Sequence, residues 1–415
     1  MGLTVLLTIH GIGFQQFPDD TANPQVPGYA DGLHSKLVGI LGEPVLGPDP
    51  NRLGNGVRGP VYVQSHYPAT EPYNREGGLA RLGKLRNDGT VDVAGQPLAP
   101  DGAKAAHVAL VYVHSQSTAP LPGATADMVA KGIFEVSHYA TVRGAIGMIF
   151  HDIGGMIRHG PSPTDPHGQG ELKVRTDVAA GHHPLVKLLQ VLSPTRAATG
   201  SGPLDVFRTV EDDVAGYVSR NDLRQRVRDF VQGALIRLSL RPDVDSIIVN
   251  AHSQGTVVSF DVVRGVEPDV VGKIRWLVTA GSPLRKYAEM LAWGTDTGSI
   301  ALIPQWLNAW DELDPVADPL GPDATWKRGN LPTPQTPKGL FRSVDWVAGT
   351  DAPAQVVDCP VDNVKLVPGT GLRAHDYWGD VPQFVTPLAA VIEDVSSGAG
   401  QMTADQFCTK FGPVP

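Results

Sequence analysis

The apolar and polar positions divide the chain into a strand-rich beginning, a helical middle and a second strand-rich part. Residues 3–9 are a run of leucine, threonine and β-branched residues that ends at a glycine-containing turn, which predicts a buried parallel strand. Two further strands are predicted at 61–66 and 108–114, and loops rich in glycine and proline separate them. One helix is predicted around 32–41.

Between residues 120 and 241 the spacing of apolar residues changes from that of strands to that of helices. Apolar residues recur there at helical spacing, first across 126–157 and then across 184–192 and 204–240. Because this segment separates two strand-rich parts, we predict that it is a helical insertion of the cap or lid type.

Strand–helix alternation returns after Pro242. The elements predicted in this part are strands at 246–250, 274–280 and 303–310 and a helix at 254–265. Alternating β and α units imply helices on both faces of a parallel sheet, so the predicted fold class is α/β with a doubly wound, mostly parallel sheet. The predicted organisation is a first core part at 1–119, a mainly helical insertion at 120–241, and a second core part with a C-terminal tail at 242–415.

The composition excludes several classes of protein. The chain has 415 residues, of which 41% are hydrophobic, and this is enough apolar material for a sizeable core. Its formal charge of −9 argues against a non-specific nucleic-acid binder, which needs a basic face. The two cysteines, Cys359 and Cys408, are too few for a disulfide scaffold or a cysteine-rich zinc site, and whether they pair with each other is left open.

No membrane-spanning segment is expected. The longest apolar stretch, 140–157, is interrupted by Arg143, His151 and Asp152, whereas a spanning helix needs about 20 nearly uncharged residues. The first ten residues have no basic region and no cleavage site typical of a signal peptide. The expected location is therefore cytoplasmic, and a trimmed secreted form stays an alternative.

The sequence feature most indicative of chemistry is Ala251-His252-Ser253-Gln254-Gly255. An apolar strand runs into it and a helical pattern follows, as in a nucleophile elbow, where a sharp turn projects the serine hydroxyl above the edge of the sheet. Small residues two places before and after the serine suit a turn that leaves no room for larger ones. The alternative is a serine that merely caps the helix.

A serine hydroxyl becomes a good nucleophile only when a neighbouring base takes its proton. In a sheet of this kind the partners follow the serine in the order acid, then histidine. Twelve of the 13 histidines precede Ser253 and only His375 follows it, so His375 is the predicted base. A histidine in an exposed surface loop is the alternative.

Two aspartates follow the predicted strand at 303–310. Asp314 is the preferred acid because Pro315 stiffens the turn that carries it, and Asp311 stays the alternative. A buried carboxylate there would orient His375 and stabilise its protonated form.

The negative oxygen that develops during acyl transfer needs two backbone N–H donors. One is predicted at Gln254, directly after the serine. The other is predicted at Ile12, in the turn His10-Gly11-Ile12-Gly13 that follows the first strand.

Together these motifs resemble the α/β-hydrolase superfamily, and within it the lipases and esterases. The stretch that begins at His375 is also similar to the one around the catalytic histidine of some lipases. The matching segments cover well under half of the chain, and the insertion and the loops at 14–60 and 77–101 resemble no family. The resemblance implies an acyl-enzyme mechanism without a cofactor, with Ser253 as nucleophile, His375 as base and Asp314 as acid.

The expected function is hydrolysis of carboxylic esters, small molecules with an apolar acyl group. An amidase, a thioesterase or an acyltransferase would use the same three residues, and a non-catalytic binding protein on a hydrolase scaffold is a further alternative. The histidines of the insertion are interpreted as chance clustering rather than a metal site. The natural substrate and the oligomeric state are not indicated by the sequence.

Overall fold

The structure of the chain is a computed structural model. The predicted helices at 126–157 and 184–192, and the predicted oxyanion donor Ile12, lie outside the residues that it describes. The described residues are 2–11, 29–47, 59–65, 75–94, 97–112, 221–266, 270, 272–284, 299–301, 303–311, 314, 316–317, 319–321, 341–344, 356–368 and 373–411.

Eleven strands are found in these residues, and seven of them form one fully parallel sheet. The order of strands across this sheet is β2-β5-β1-β6-β7-β9-β11, while β3 pairs with β4 and β8 pairs with β10. The bounds are β1 Leu3–Ile9, β2 Val61–Ser65, β3 Lys84–Leu85, β4 Val91–Asp92, β5 Ala105–Tyr112, β6 Val244–His252, β7 Ile274–Ala280, β8 Ser299–Ala301, β9 Gln305–Trp310, β10 Arg342–Val344 and β11 Val357–Pro360.

Eight α-helices accompany the strands in the described residues. Short 3₁₀ turns lie at Ala80–Leu82 and Arg373–His375, and a π-helical turn lies at Val381–Val385. The helices are α1 Tyr29–Leu41, α2 Glu43–Leu46, α3 Arg75–Leu79, α4 Asn221–Leu240, α5 Gln254–Val263, α6 Asn363–Leu366, α7 Thr386–Ser396 and α8 Ala404–Phe411.

Both faces of the sheet are covered by apolar side chains from helices. Side chains alternate along a strand, so Val5 and Leu7 of β1 pack on one face with α4 and α5, while Leu6 packs on the other with α1 and α7. The predicted α/β class with a mostly parallel sheet is thus confirmed. Helix α4, which the sequence analysis assigned to the insertion, contributes Phe230 and Leu235 to the core beside the sheet. The limits of the insertion stay a prediction.

Strands β1 and β6 lie side by side where the strand order reverses. After β1 the chain continues to β2 and β5 on one side of it, and from β6 it continues to β7, β9 and β11 on the other side. In open α/β sheets, ligands bind at the carboxyl ends of strands at such a switch point. The turn after β1 and the serine after β6 both lie there.

Cys359, which is buried, and Cys408, which is partly buried, are both free thiols. Within the described part of the chain, no helix combines the length and the hydropathy that crossing a bilayer requires.

A buried carboxylate near the end of the chain makes stability depend on pH. Asp380 is fully buried, and its Oδ1 caps the π-helical turn by accepting the N–H of Gln383 at 2.9 Å. Burial raises the pKa of Asp380 from 3.8 to about 6, against the opposing effect of that hydrogen bond. Because the folded state binds the Asp380 proton more tightly than the unfolded state does, protonation of Asp380 stabilises the fold at low pH. This contribution is lost as the pH rises from about 4 to about 6.

We therefore expect Asp380→Asn, which keeps the capping oxygen, to be more stable than the parent chain above pH 6. The expected gain in the free energy of unfolding above pH 6 is on the order of 1–2 kcal/mol. Urea unfolding of both proteins between pH 4 and pH 8 measures this difference. A difference that stays flat across that range would contradict the assignment.

Candidate active site

Ser253 occupies a strained turn between β6 and α5. Its φ of 55° and ψ of −132° make it the one non-glycine residue with positive φ in the described part of the chain. Such a conformation costs about 1–3 kcal/mol and persists only where its surroundings hold it. Here the N–H of Ser253 donates to the carbonyl of Ala280 at 2.9 Å, and Thr256 donates from its N–H and its hydroxyl to the carbonyl of Ser253. The serine side chain makes no capping hydrogen bond to α5, so the geometry favours the elbow over the helix cap.

Glycines allow the elbow and the end of β1 to pack backbone against backbone. A Cβ on Gly255 would overlap the carbonyl oxygen of Ile9 and would lie 2.7 Å from that of His10. A Cβ on Gly11 would lie 2.6 Å from Cβ and 2.9 Å from Oγ of Ser253. The turn after β1 therefore lies directly against the serine hydroxyl.

Gly11→Ala is expected to impair the site selectively. The added methyl would displace either the serine hydroxyl or the turn after β1, and a displacement of about 1 Å in a reacting group can lower the rate about 10²-fold. Gly32→Ala is the matched control, because a Cβ on Gly32, within α1, meets no atom within 4 Å. Turnover that falls equally in both variants, or in neither, would contradict this account of Gly11.

His375 is hydrogen-bonded to a buried carboxylate. Its Nδ1 lies 2.8 Å from Oδ2 of Asp314, whose side chain is fully buried, whereas the histidine side chain keeps 12% of its surface exposed. The hydroxyl of Tyr377 donates to the same Oδ2 at 2.9 Å, and the N–H of Val316 donates to Oδ1 at 2.9 Å. Because the Asp314 carboxylate accepts a hydrogen bond from Nδ1, the neutral ring of His375 carries its proton on Nδ1. The lone pair of Nε2 is then available to accept a proton.

Opposing effects set the charge of Asp314. Burial alone would raise its pKa, but the charge and hydrogen bond of His375 and the donors of Val316 and Tyr377 bring it below the ordinary value. The group is therefore a carboxylate at neutral pH. Its stabilising contribution is lost as the pH falls through the lowered pKa.

The other candidate acid, Asp311, has a different set of partners. Its Oδ2 accepts the N–H of Asn363 at 2.8 Å, and its own N–H donates to the hydroxyl of Tyr377 at 2.9 Å. Asn363 in turn donates from its side chain to the carbonyl of Ala374 at 2.7 Å. The carboxylate that binds His375 is thus that of Asp314, while Asp311 supports the loop around it.

Ser253 and His375 both lie beside the end of β7. The N–H of Ser253 donates a hydrogen bond to the carbonyl of Ala280. A Cβ on the next residue, Gly281, would lie 2.7 Å from Cε1 of His375. Gly281 has a φ of +61°, so both its conformation and the nearby imidazole favour glycine there. In the residues described, the hydroxyl of Ser253 and the imidazole of His375 are not joined by a hydrogen bond. Such bonds often tighten only when a substrate is present.

Two further histidines stand beside His375, and the sequence analysis assigned a role to neither of them. The ring of His252 lies 4.6 Å from that of His375 and 5.5 Å from that of His10. Burial lowers the pKa of His252 well below its usual value, and repulsion from the neighbouring imidazoles of His375 and His10 in their protonated forms lowers it further. Burial also lowers the pKa of His10 to about 4, and its hydrogen bond with the carbonyl of Gly11 only partly opposes this. Both rings are therefore neutral at pH 7.

Gln254, one of the two predicted oxyanion donors, is buried at the first position of α5. Its backbone N–H stands at the N-terminus of α5, where the helix dipole favours a negative charge. The backbone nitrogen of Gln254 would lie 2.8 Å from a Cβ on Gly11, so it packs against the turn after β1. The second predicted donor, Ile12, is not among the described residues.

No metal centre is formed by the described residues, in which three or more His, Cys, Asp or Glu side chains nowhere converge in a way that could hold an ion. The histidines of the predicted insertion lie outside these residues.

Comparison with protein-family models found no match, and searches of curated proteins and of solved structures found none either.

Proposed function

We propose that the protein is a serine hydrolase of the α/β-hydrolase type that cleaves carboxylic esters. The observation that carries the proposal is that a strained serine and a carboxylate-bound histidine both lie beside the end of β7. A strained backbone at the switch point of a parallel sheet is typical of functional positions. A protein that only bound a ligand would have no need of Asp314 buried behind His375.

The proposed reaction begins with attack of the Ser253 hydroxyl on the ester carbonyl. His375 accepts the hydroxyl proton at Nε2 as the bond forms, and Asp314 stabilises the resulting imidazolium. The tetrahedral oxyanion accepts a hydrogen bond from the N–H of Gln254. As the intermediate collapses, His375 returns the proton to the departing alcohol, and an acyl group stays on the serine.

Water then completes the cycle. His375 takes a proton from a water molecule that attacks the acyl carbonyl, and the same proton returns to Ser253 when the carboxylic acid leaves. No redox step and no cofactor enter this sequence. The partial exposure of both Ser253 and His375 is compatible with access of a small substrate.

The substrate class is tested with chromogenic acyl compounds that differ in one atom. Nitrophenyl esters from two to sixteen acyl carbons are compared with the matching nitroanilide and the matching thioester. Because nitrophenyl esters are intrinsically more reactive than anilides, each kcat/KM is divided by the rate constant of uncatalysed hydrolysis. We expect this ratio to be largest for the esters, with the best chain length defining the acyl site. A larger ratio for the anilide or the thioester would shift the proposal to an amidase or a thioesterase, and no turnover of any of them would overturn it.

A further inference from the structure

His252 makes a contact that the proposed reaction does not use. It precedes the serine in the elbow, is 4% exposed, and its Nε2 lies 2.9 Å from the carbonyl oxygen of His375. A carbonyl oxygen only accepts, so Nε2 carries the proton and donates it. The elbow is therefore hydrogen-bonded directly to the backbone of His375, the predicted base.

The turn that carries His375 is held by side chains at two consecutive carbonyls. The carbonyl of Ala374 accepts from the side chain of Asn363, and the carbonyl of His375 accepts from His252. The turn itself, Arg373–His375, is a single 3₁₀ turn, too short to fix its own orientation. The orientation of the turn and of the His375 side chain thus depends on the hydrogen bonds from Asn363 and His252 and on the contact of the imidazole with Asp314.

We propose that His252 is a positioning residue, which holds His375 at a fixed place relative to Ser253 by donating to its carbonyl. The inference rests on the proposed function for its effect on turnover. His252 and Ser253 are adjacent in one turn, so this hydrogen bond ties the base to the same piece of backbone that carries the nucleophile.

The protonation state of His252 agrees with this role. Burial, as the main cause, keeps the pKa of His252 low, so the ring is neutral and donates through Nε2. A second positive charge 4.6 Å from the ring of His375 would oppose protonation of the base during the reaction. Packing against Trp378, at a centroid distance of 5.3 Å, restricts the ring further.

Two amide substitutions at His252 distinguish the effect of its hydrogen bond from the effect of its aromatic ring. In His252→Gln the side-chain nitrogen stands the same number of bonds from the backbone as Nε2, whereas in His252→Asn it is one bond short. We expect the Asn variant to lose about 10²-fold in kcat with nitrophenyl acetate, with a KM changed less than about threefold, because the base is misplaced but binding is not. The Gln variant is expected to recover at least a tenth of the parent kcat.

A measurement without substrate separates this inference from the proposed function. The proton between Nδ1 of His375 and Asp314 is followed by proton NMR in the low-field region, where its exchange with water reports how firmly His375 is held. We expect a resonance in the parent chain and in His252→Gln that broadens or disappears in His252→Asn, while thermal unfolding of the two variants stays similar.

The outcomes are distinct. Equal kcat and an equal low-field resonance in the Asn and Gln variants would overturn the positioning role. A parent chain that hydrolyses nothing, with a resonance that still depends on the donor at position 252, would overturn the proposed function and leave the positioning role standing.

Discussion

Ser253→Ala is expected to lower kcat for nitrophenyl esters by about 10⁴- to 10⁶-fold. The substitution removes the hydroxyl that attacks the carbonyl and leaves the rest of the site in place. The measurement is release of nitrophenol by parent and variant at equal concentration, with circular dichroism confirming that the variant is folded. Turnover that persists in the folded variant would show that the serine is not the nucleophile.

The strained conformation of Ser253 supplies a second variant with an independent readout. Glycine adopts positive φ without steric strain, whereas alanine retains the strain that serine bears. Ser253→Gly is therefore expected to exceed Ser253→Ala by about 1 kcal/mol in the free energy of unfolding, with both inactive. Equal stabilities would show that the turn is relaxed and would remove one support for the elbow.

Asp314→Asn is expected to lower kcat by about 10⁴-fold, because the amide can donate to Nδ1 and so favour the wrong tautomer of His375. The proton would then occupy Nε2, the position that must accept one from Ser253. Asp311→Asn is the matched control: its side-chain carbonyl can still accept from Asn363, so we expect it to lose less than about tenfold.

The pH dependence of these two variants adds a further check. In the parent chain the lowered pKa of Asp314 means that activity and stability both decline as the pH falls through that pKa. The Asn variant lacks that group and is expected to lose this part of the decline in stability. Equal losses of activity in Asp314→Asn and Asp311→Asn would contradict the assignment of the acid.

Much of the sheet could be predicted because its strands are long apolar runs. The predicted bounds of β7 coincide with the observed ones, and β1 was predicted at 3–9, as found. Strand β5 begins at Ala105 rather than at residue 108, because two alanines and a histidine look weakly β-forming in isolation. Strand β11 was not predicted, since four residues that end in proline are recognisable only from their pairing with β9.

The contacts of the candidate site could be predicted only as far as chain order and local turn chemistry determine them. The sequence order picked out His375, and the proline after Asp314 favoured it over Asp311, but only the fold shows which carboxylate reaches Nδ1 of His375. The roles of Tyr377 and Gly281 depend on contacts between distant segments. The hydrogen bond between His252 and His375 joins residues 123 positions apart, and no local pattern signals it.

The central claim is that Ser253 is activated by His375, and covalent labelling tests it most directly. A fluorophosphonate forms a stable adduct with a serine hydroxyl only when a base removes its proton, so labelling is followed by intact mass and the modified peptide is sequenced by mass spectrometry. The account predicts one adduct per chain, on Ser253, and at least a 10²-fold slower reaction in His375→Ala. An unlabelled parent chain, or equal labelling rates in the two proteins, would contradict it.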